Sequence, residues 1–218
     1  EKPYFLTAQH CLKNKTPSTF VFVFGYESQN CDGTNGKTGF SVSGCTLIAD
    51  GDKSDFALLQ LSAIPPIAFN PYYAGWNRIN TPANSALCIH HPSGDYKKIS
   101  ICNSTLESSN YDEYTSDTHW KVTSWNKGST EGGSSGAPLF NSNKLVIGQL
   151  EGGTASCNEL DGYDLFGKFS YSWTNDNNSE SYKRLKDWLD PLNTGVTTLS
   201  GYDPCIAKHQ FDVAVNAL

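Results

Sequence analysis

The chain has 218 residues, 38% hydrophobic and 17% charged, with 19 glycines and 10 prolines, a globular, turn-rich composition that suits one large all-β domain or two small barrels sharing a core. Its net charge of −6 argues against nucleic acid or anionic membrane as a partner, and no apolar run approaches the roughly 20 residues of a membrane helix. It contains no methionine and no leader, so it reads as a processed or excised piece, and its 7 cysteines point to an oxidising, extracellular setting with at least one thiol unpaired.

Most of the chain reads as short strands separated by turns. Residues 4–8 form a strand that runs into a loop at His10. Residues 20–24, β-branched and aromatic between Pro17 and Gly25, form another. Two more, 40–49 and 56–61, are joined by the polar turn 50–53. After Pro65-Pro66, residues 86–91 and 98–102 form a hairpin across Pro92-Ser93-Gly94-Asp95. Residues 139–140 and 144–150 flank a turn at Asn141-Ser142-Asn143, and 167–173 make a further strand. One amphipathic helix is predicted over 179–189, with Tyr182, Leu185, Trp188 and Leu189 on one face, Asn177 and Glu180 as a capping pair, and Pro191 as its stop.

Three segments carry chemistry. In Gly133-Ser134-Ser135-Gly136-Ala137-Pro138 the register G-x-S-G-x-P selects Ser135 over its neighbour Ser134 as a nucleophile. The flanking glycines would let the Gly133 and Ser135 amides converge on a developing oxyanion. Such a stretch is commonly a surface loop, but the apolar Leu139-Phe140 after Pro138 speaks against a slack one. Thr7-Ala8-Gln9-His10-Cys11 puts an imidazole at a strand end, where a general base can be held. His90, His91, His119 and His209 lack that setting, and no ligand spacing makes a metal pair of His90-His91, so neither metal nor cofactor is expected. In Ser54-Asp55-Phe56-Ala57-Leu58-Leu59 a carboxylate enters an apolar strand and needs a hydrogen-bond partner, which a ring nitrogen of His10 could supply. Asp50 and Asp52 read as turn residues. The chain order histidine, aspartate, serine is that of the chymotrypsin clan.

With these motifs the chain resembles the chymotrypsin-fold serine peptidases and, within them, the bacterial lysyl endopeptidases. The similarity includes Ala74-Gly75-Trp76-Asn77-Arg78, Ile89-His90-His91-Pro92 followed by Lys98-Ile99-Ser100, Gly148-Gln149-Leu150, Ser156-Cys157 and Asp187-Trp188-Leu189. The resemblance implies an all-β fold of two antiparallel barrels with the active site between them and a C-terminal helix. It implies a peptidase domain over 1–203 whose first barrel lacks its first strands, with 204–218 a tail or the start of a connector. His10, Asp55 and Ser135 would be the triad. Trypsin-like enzymes carry a pocket aspartate six residues before the nucleophile, where this chain has Ser129. Lysyl endopeptidases take it from a later D-x-[YF]-G-[RK] segment, matched by Asp164-Leu165-Phe166-Gly167-Lys168. Asp164 is thus the candidate partner of a lysine ammonium, with Asp161 its competitor.

The resemblance also makes residues 150–153 the edge that aligns substrate by strand addition, Gly152 and Gly153 leaving room. Glu151 replaces a histidine of the best-known family pattern, beside an aromatic position that Tyr111 would fill. A second carboxylate there would reinforce a cationic preference or alter the pH behaviour of His10. The resemblance implies upstream cysteines as partners for the counterparts of Cys11, Cys31 and Cys157, which would leave these three without partners in this chain. Cys88 and Cys102, on one hairpin, are candidates to bond to each other, and Cys45 and Cys205 stay unassigned. The expectation is a secreted, monomeric, cofactor-free serine endopeptidase acting on protein or peptide substrates after lysine. The alternatives are a preference for arginine or apolar residues, with Ser129 lining the pocket, or a non-catalytic binding or adhesion module.

Overall fold

The structure is a computed structural model and describes residues 2–30, 39–112, 115–159 and 161–206. Cys31 and residues 207–218 of the expected tail lie outside the described residues. In the first half, β1 (Tyr4–Ala8), β2 (Val21–Phe24), β3 (Phe40–Ser43), β4 (Cys45–Gly51) and β5 (Phe56–Leu61) make two open sheets. The nearly continuous apolar run of β5 suits a strand covered on both faces, and β5 lies between β1 and β4, antiparallel to each. β2 and β3 form a separate pair. Among the described residues neither of these sheets closes on itself.

The second half is built from β6 (Trp76–Asn77), β7 (Ala86–His90), β8 (Lys98–Cys102), β9 (Glu107–Ser109), β10 (His119–Val122), β11 (Pro138–Asn141), β12 (Val146–Gly153), β13 (Asp164–Lys168) and β14 (Thr198–Leu199). They form one nine-stranded sheet whose main path runs β8-β7-β11-β12-β13-β10-β9, with β6 joining β12 and β14 joining β6. Its concave face holds a core of Trp120, Val122, Leu139, Leu150 and Phe166, all buried. A second core unites the halves: Phe56 and Leu58 of β5 pack with Trp76, Phe169, Trp173 and Leu185.

Four expectations are corrected. Residues 40–49 are two strands in different sheets, because Gly44 between them takes φ +82° and turns the chain. The strand expected over 167–173 ends at Lys168, and α1 (Phe169–Thr174) follows. Phe169 and Trp173, one helical turn apart, bring their rings against Trp76 at 5.4 and 5.0 Å, a packing that strand alternation would not give. The helix over 179–189 shrinks to a 3-10 turn (Ser181–Lys183) and α2 (Lys186–Leu189). Arg184 is extended between them, its guanidinium held by Asp187 and the Asn178 carbonyl. Finally, the bond expected between Cys88 and Cys102 is not made: both are free thiols, as are Cys11, Cys45, Cys157 and Cys205. The hairpin register sets Cys88 against Ser100 and Cys102 against Ala86. The two cysteines are therefore diagonal neighbours, a placement typically about 7–8 Å apart and too far for a disulfide.

The two halves meet most closely where the turn before β5 rests on β13. The Ser54 carbonyl accepts from Gln149 Nε2 at 2.6 Å, and the Ser54 hydroxyl bonds that of Ser172 at 2.9 Å. Gly167 lies directly beneath: a Cβ there would stand 1.9 Å from the Ser54 carbonyl oxygen. Gly167→Ala should therefore overpack this seat and lower stability by about 1–3 kcal/mol in urea unfolding. Gly39→Ala, whose added methyl meets nothing within 4 Å among the described residues, should leave the unfolding midpoint unchanged.

Candidate active site

Asp55 tops the turn that Gly167 supports. It is buried (3% exposed) and sits at φ +51°, a left-handed conformation that aspartate tolerates better than most side chains. Its carbonyl accepts from the Gln9 amide at 2.7 Å, tying the turn to the segment that leaves β1. The carboxylate reaches the same segment twice. Oδ1 accepts from the His10 backbone amide at 2.8 Å, and Oδ2 lies 2.5 Å from His10 Nδ1. A carboxylate on Nδ1 fixes the ring so that Nε2 can take a proton, and the half-exposed imidazole leaves Nε2 reachable.

The serine turn is set against the same strand end. Gly136 takes φ +82°, and a Cβ on it would fall 2.2 Å from Thr7 Oγ1 and 2.9 Å from the Ala8 amide nitrogen. The turn therefore lies within two residues of His10 along β1, a fit that only glycine permits. The two serines point differently. Ser134 is buried, with its hydroxyl 2.8 Å from His90 Nδ1, whereas Ser135 is partly exposed. No hydrogen bond joins the Ser135 hydroxyl to His10, and His10 Nε2 instead faces the Cys11 sulfur at 3.8 Å. In such sites the nucleophile–base bond commonly tightens only when substrate binds. Burial, and then the Asp55 carboxylate, pushes the Cys11 thiol up, so it stays protonated beside the ring.

Backbone geometry prepares the amides of this turn. Gly132 gives its carbonyl to the Ser93 amide (2.7 Å), and Ser134 gives its carbonyl to the Ala137 amide (3.0 Å). In a trans peptide the N–H points opposite the carbonyl, so the Gly133 and Ser135 amides face away from these two donors. Neither finds a partner among the described residues. A cleft of about 630 Å³ opens on one side of the turn, lined by residues 133–138, Thr7 and His91 together with Tyr4, Leu58, Trp76 and Phe169; His10, Asp55 and Asp164 do not line it.

Asp164 begins β13 and is 2% exposed. Its Oδ2 accepts from Trp125 Nε1 at 2.7 Å and Thr130 Oγ1 at 2.6 Å, while Oδ1 points to where a Gly153 Cβ would sit. No cation pairs with it among the described residues, and burial pushes its carboxyl up despite the two donors. Ser129 turns its hydroxyl onto the Thr130 carbonyl, and Asp161 is exposed. The Asp164 carboxylate thus sits against the 128–135 segment through Thr130.

Sequence reasoning passed over three groups. His90, considered and set aside as a metal ligand, spends its ring nitrogens on Ser134 (2.8 Å) and Ser100 (3.0 Å). His119, fully buried, meets Glu151. Lys168, also fully buried, donates to Asn80, Ser108 and Asp117 and lies over the Trp120 ring at 4.0 Å. The lysine that ends the D-x-F-G-K motif was the available signal for the last of these. Nothing local marks the histidines: Ser134 and Ser100 for His90, and Glu151 for His119, are 10 to 44 residues away.

The fold is that of the chymotrypsin-type serine peptidases. It superimposes on the HtrA-type protease AlgW, solved with a tripeptide, with a TM-score of 0.50 at 14% identity, over 77% of this chain and 48% of that one. The structure of Rv3671c from M. tuberculosis H37Rv, a mutant in inactive form, gives 0.43 at 15% identity over 76% and 71%. The chain itself belongs to the lysyl endopeptidase C-terminal domain family, whose profile matches residues 1–167. Lysyl endopeptidase of Pseudomonas aeruginosa is 32% identical over 169 residues, which cover 72% of this chain and 35% of that protein. The chain therefore spans about a third of that relative.

His90 makes the serine turn sensitive to acid. Burial, and secondarily the neighbouring His91, lowers its pKa to about 4. Between that value and the ordinary 6.5 the unfolded chain binds a proton that the folded one refuses, so stability rises with pH across this window. Acidification from pH 6.5 to 4 should remove about 3 kcal/mol through this group. His90→Gln should flatten the fall of urea stability measured at pH 7 and pH 5.

Proposed function

We propose that this domain is a serine endopeptidase that cleaves peptide bonds on the carboxyl side of lysine. The observation that carries the reading is the buried Asp55 carboxylate on His10 Nδ1, set beside the outward Ser135. A substrate strand adds to the edge at 150–153 and brings its carbonyl to Ser135. His10 Nε2 takes the hydroxyl proton as Oγ attacks, and the Gly133 and Ser135 amides receive the oxyanion. The same imidazole returns the proton to the leaving amine, and water then repeats the sequence on the acyl-enzyme. Action outside the cell as a monomer belongs to the same proposal.

Specificity is assigned to Asp164. A buried carboxylate without a counter-ion is unfavourable, and a lysine ammonium on a flexible stem would relieve it. The same burial makes a stability argument. Its folded pKa lies above the unfolded value, so the stability it contributes is present below that value and is lost as pH rises through the folded one.

Two measurements test the reading on the full-length protein. Digestion of a peptide library should give cuts after lysine, Ser135→Ala should abolish them and prevent labelling by a serine-directed phosphonate, and Asp55→Asn should lower kcat by roughly 10³–10⁴. Cuts after other residues, or an unlabelled Ser135, would overturn it. Asp164→Asn should erase the lysine preference and raise the thermal midpoint at pH 7, a pairing that a merely structural aspartate would not give.

A further inference from the structure

We infer that Glu151 reads a second cation on the substrate, so that cleavage is fastest where the residue immediately before the cleaved lysine is itself lysine or arginine. The inference rests on the peptidase reading above and adds a substrate class to it.

The geometry begins with the edge. β11 accompanies β12 only as far as Gln149, opposite Pro138. Leu150 still exchanges bonds with Gly136 and Ala137, at 2.7 and 2.9 Å, but residues 151–153 have no strand on that side among the described residues. On the other side Gly152 and Gly153 pair with Leu165 and Asp164 of β13. The register shifts between Leu150 and Gly152, which makes Glu151 the extra residue of a bulge.

The faces of the sheet are then fixed by alternation. Trp120, Val122, Leu150 and Phe166 point into the core. Asp164, two residues from Phe166 and bonded to Trp125, shares that inner face. His119, next to Trp120, belongs to the outer face, and there Glu151 meets it. Asp164 and Glu151 thus stand on opposite faces of one edge. A substrate strand added to that edge sends successive side chains to opposite faces, so a lysine directed to Asp164 places its amino-side neighbour on the side of Glu151.

The Glu151 carboxylate is built for such contact. Its Oε2 lies 2.6 Å from His119 Nε2, and His119 Nδ1 lies 2.7 Å from Thr118 Oγ1. The imidazole can donate to Glu151 and accept from the Thr118 hydroxyl while neutral, which leaves the carboxylate its negative charge. Tyr111 flanks the pair, with its ring 5.9 Å from that of His119 and its hydroxyl 3.9 Å from where a Gly152 Cβ would sit. Oε1 receives no hydrogen bond, and no lysine or arginine pairs with Glu151 among the described residues. One oxygen is anchored, and the other, on a side chain 15% exposed, keeps its acceptor capacity for a ligand with N–H donors.

The test compares initial rates of the full-length protein on peptides that differ only before the cleaved lysine: Lys-Lys, Arg-Lys, Ala-Lys and Glu-Lys. Both basic pairs should exceed Ala-Lys in kcat/KM by about fivefold, Glu-Lys should fall below it, and the spread should narrow in about 1 M salt. Glu151→Gln, which keeps the side-chain volume, should bring the Lys-Lys to Ala-Lys ratio to about one, and Glu151→Lys should favour Glu-Lys. Peptide titration of the Ser135→Ala protein gives the same comparison without turnover and exposes a misfolded variant as one that binds neither peptide. Cleavage after lysine with equal wild-type rates, or a ratio unmoved by Glu151→Gln, would overturn the inference and leave the peptidase reading intact. Absence of any cleavage after lysine would overturn both.

Discussion

The site depends on a steric gap. Asp55 is carried by the first sheet, yet its height above His10 is set by the second, because the Ser54 carbonyl rests on Gly167 where any side chain would intrude. The bonds from Gln149 and Ser172 hold the turn down onto that gap. The Gln9 and His10 amides then draw the end of β1 onto Asp55. Asp55 can adopt its left-handed backbone because the hydrogen bonds around it leave little alternative. The base is placed by contacts made mostly outside its own strand.

Strand β13 contrasts two buried charges on one short element. Lys168 is satisfied: Asp117, Ser108 and Asn80 take its three donors, and the Trp120 ring lies against it. Burial acts to raise Asp117, but the hydrogen bonds it accepts from Lys168, Ser108 and Asn80 outweigh it and hold the carboxyl at about 2, so the pair stays ionised. Asp164, four residues earlier, has two neutral donors and no cation. The first arrangement straps the loop before β10 to the sheet, while the second leaves electrostatic potential unspent. A ligand of opposite sign can claim that potential only where it is unspent.

Much of this was legible in the chain because it rests on local pattern. The hairpin of β7 and β8, the turn between β11 and β12, and β5 follow from apolar runs bounded by turn residues. Ser135, His10 and Asp55 stood out through their immediate neighbours, and the structure brings the last two into contact while placing the first beside their strand. The failures were of another kind. Phe169 and Trp173 suit a strand as well as a helix, and only Trp76, nearly a hundred residues earlier, decides between them. The helix expected around Leu185 lost to a tertiary bond, since the Leu185 amide donates to the Ser172 carbonyl. Cys88 and Cys102 fall in register positions that no count of spacings reveals. Glu151 could be named from the sequence, but its partner His119 could not, because they meet only through the order of strands.

The bulge at Glu151 has a consequence for how such a sheet can vary. A bulge absorbs one extra residue without disturbing the pairing beyond it: Gly152 and Gly153 keep Leu165 and Asp164 as partners whether or not Glu151 stands between them and Leu150. The carboxylate is therefore an addition to the strand and no part of its ladder. Its chemistry can change from one sequence to another while the glycine edge keeps its alignment.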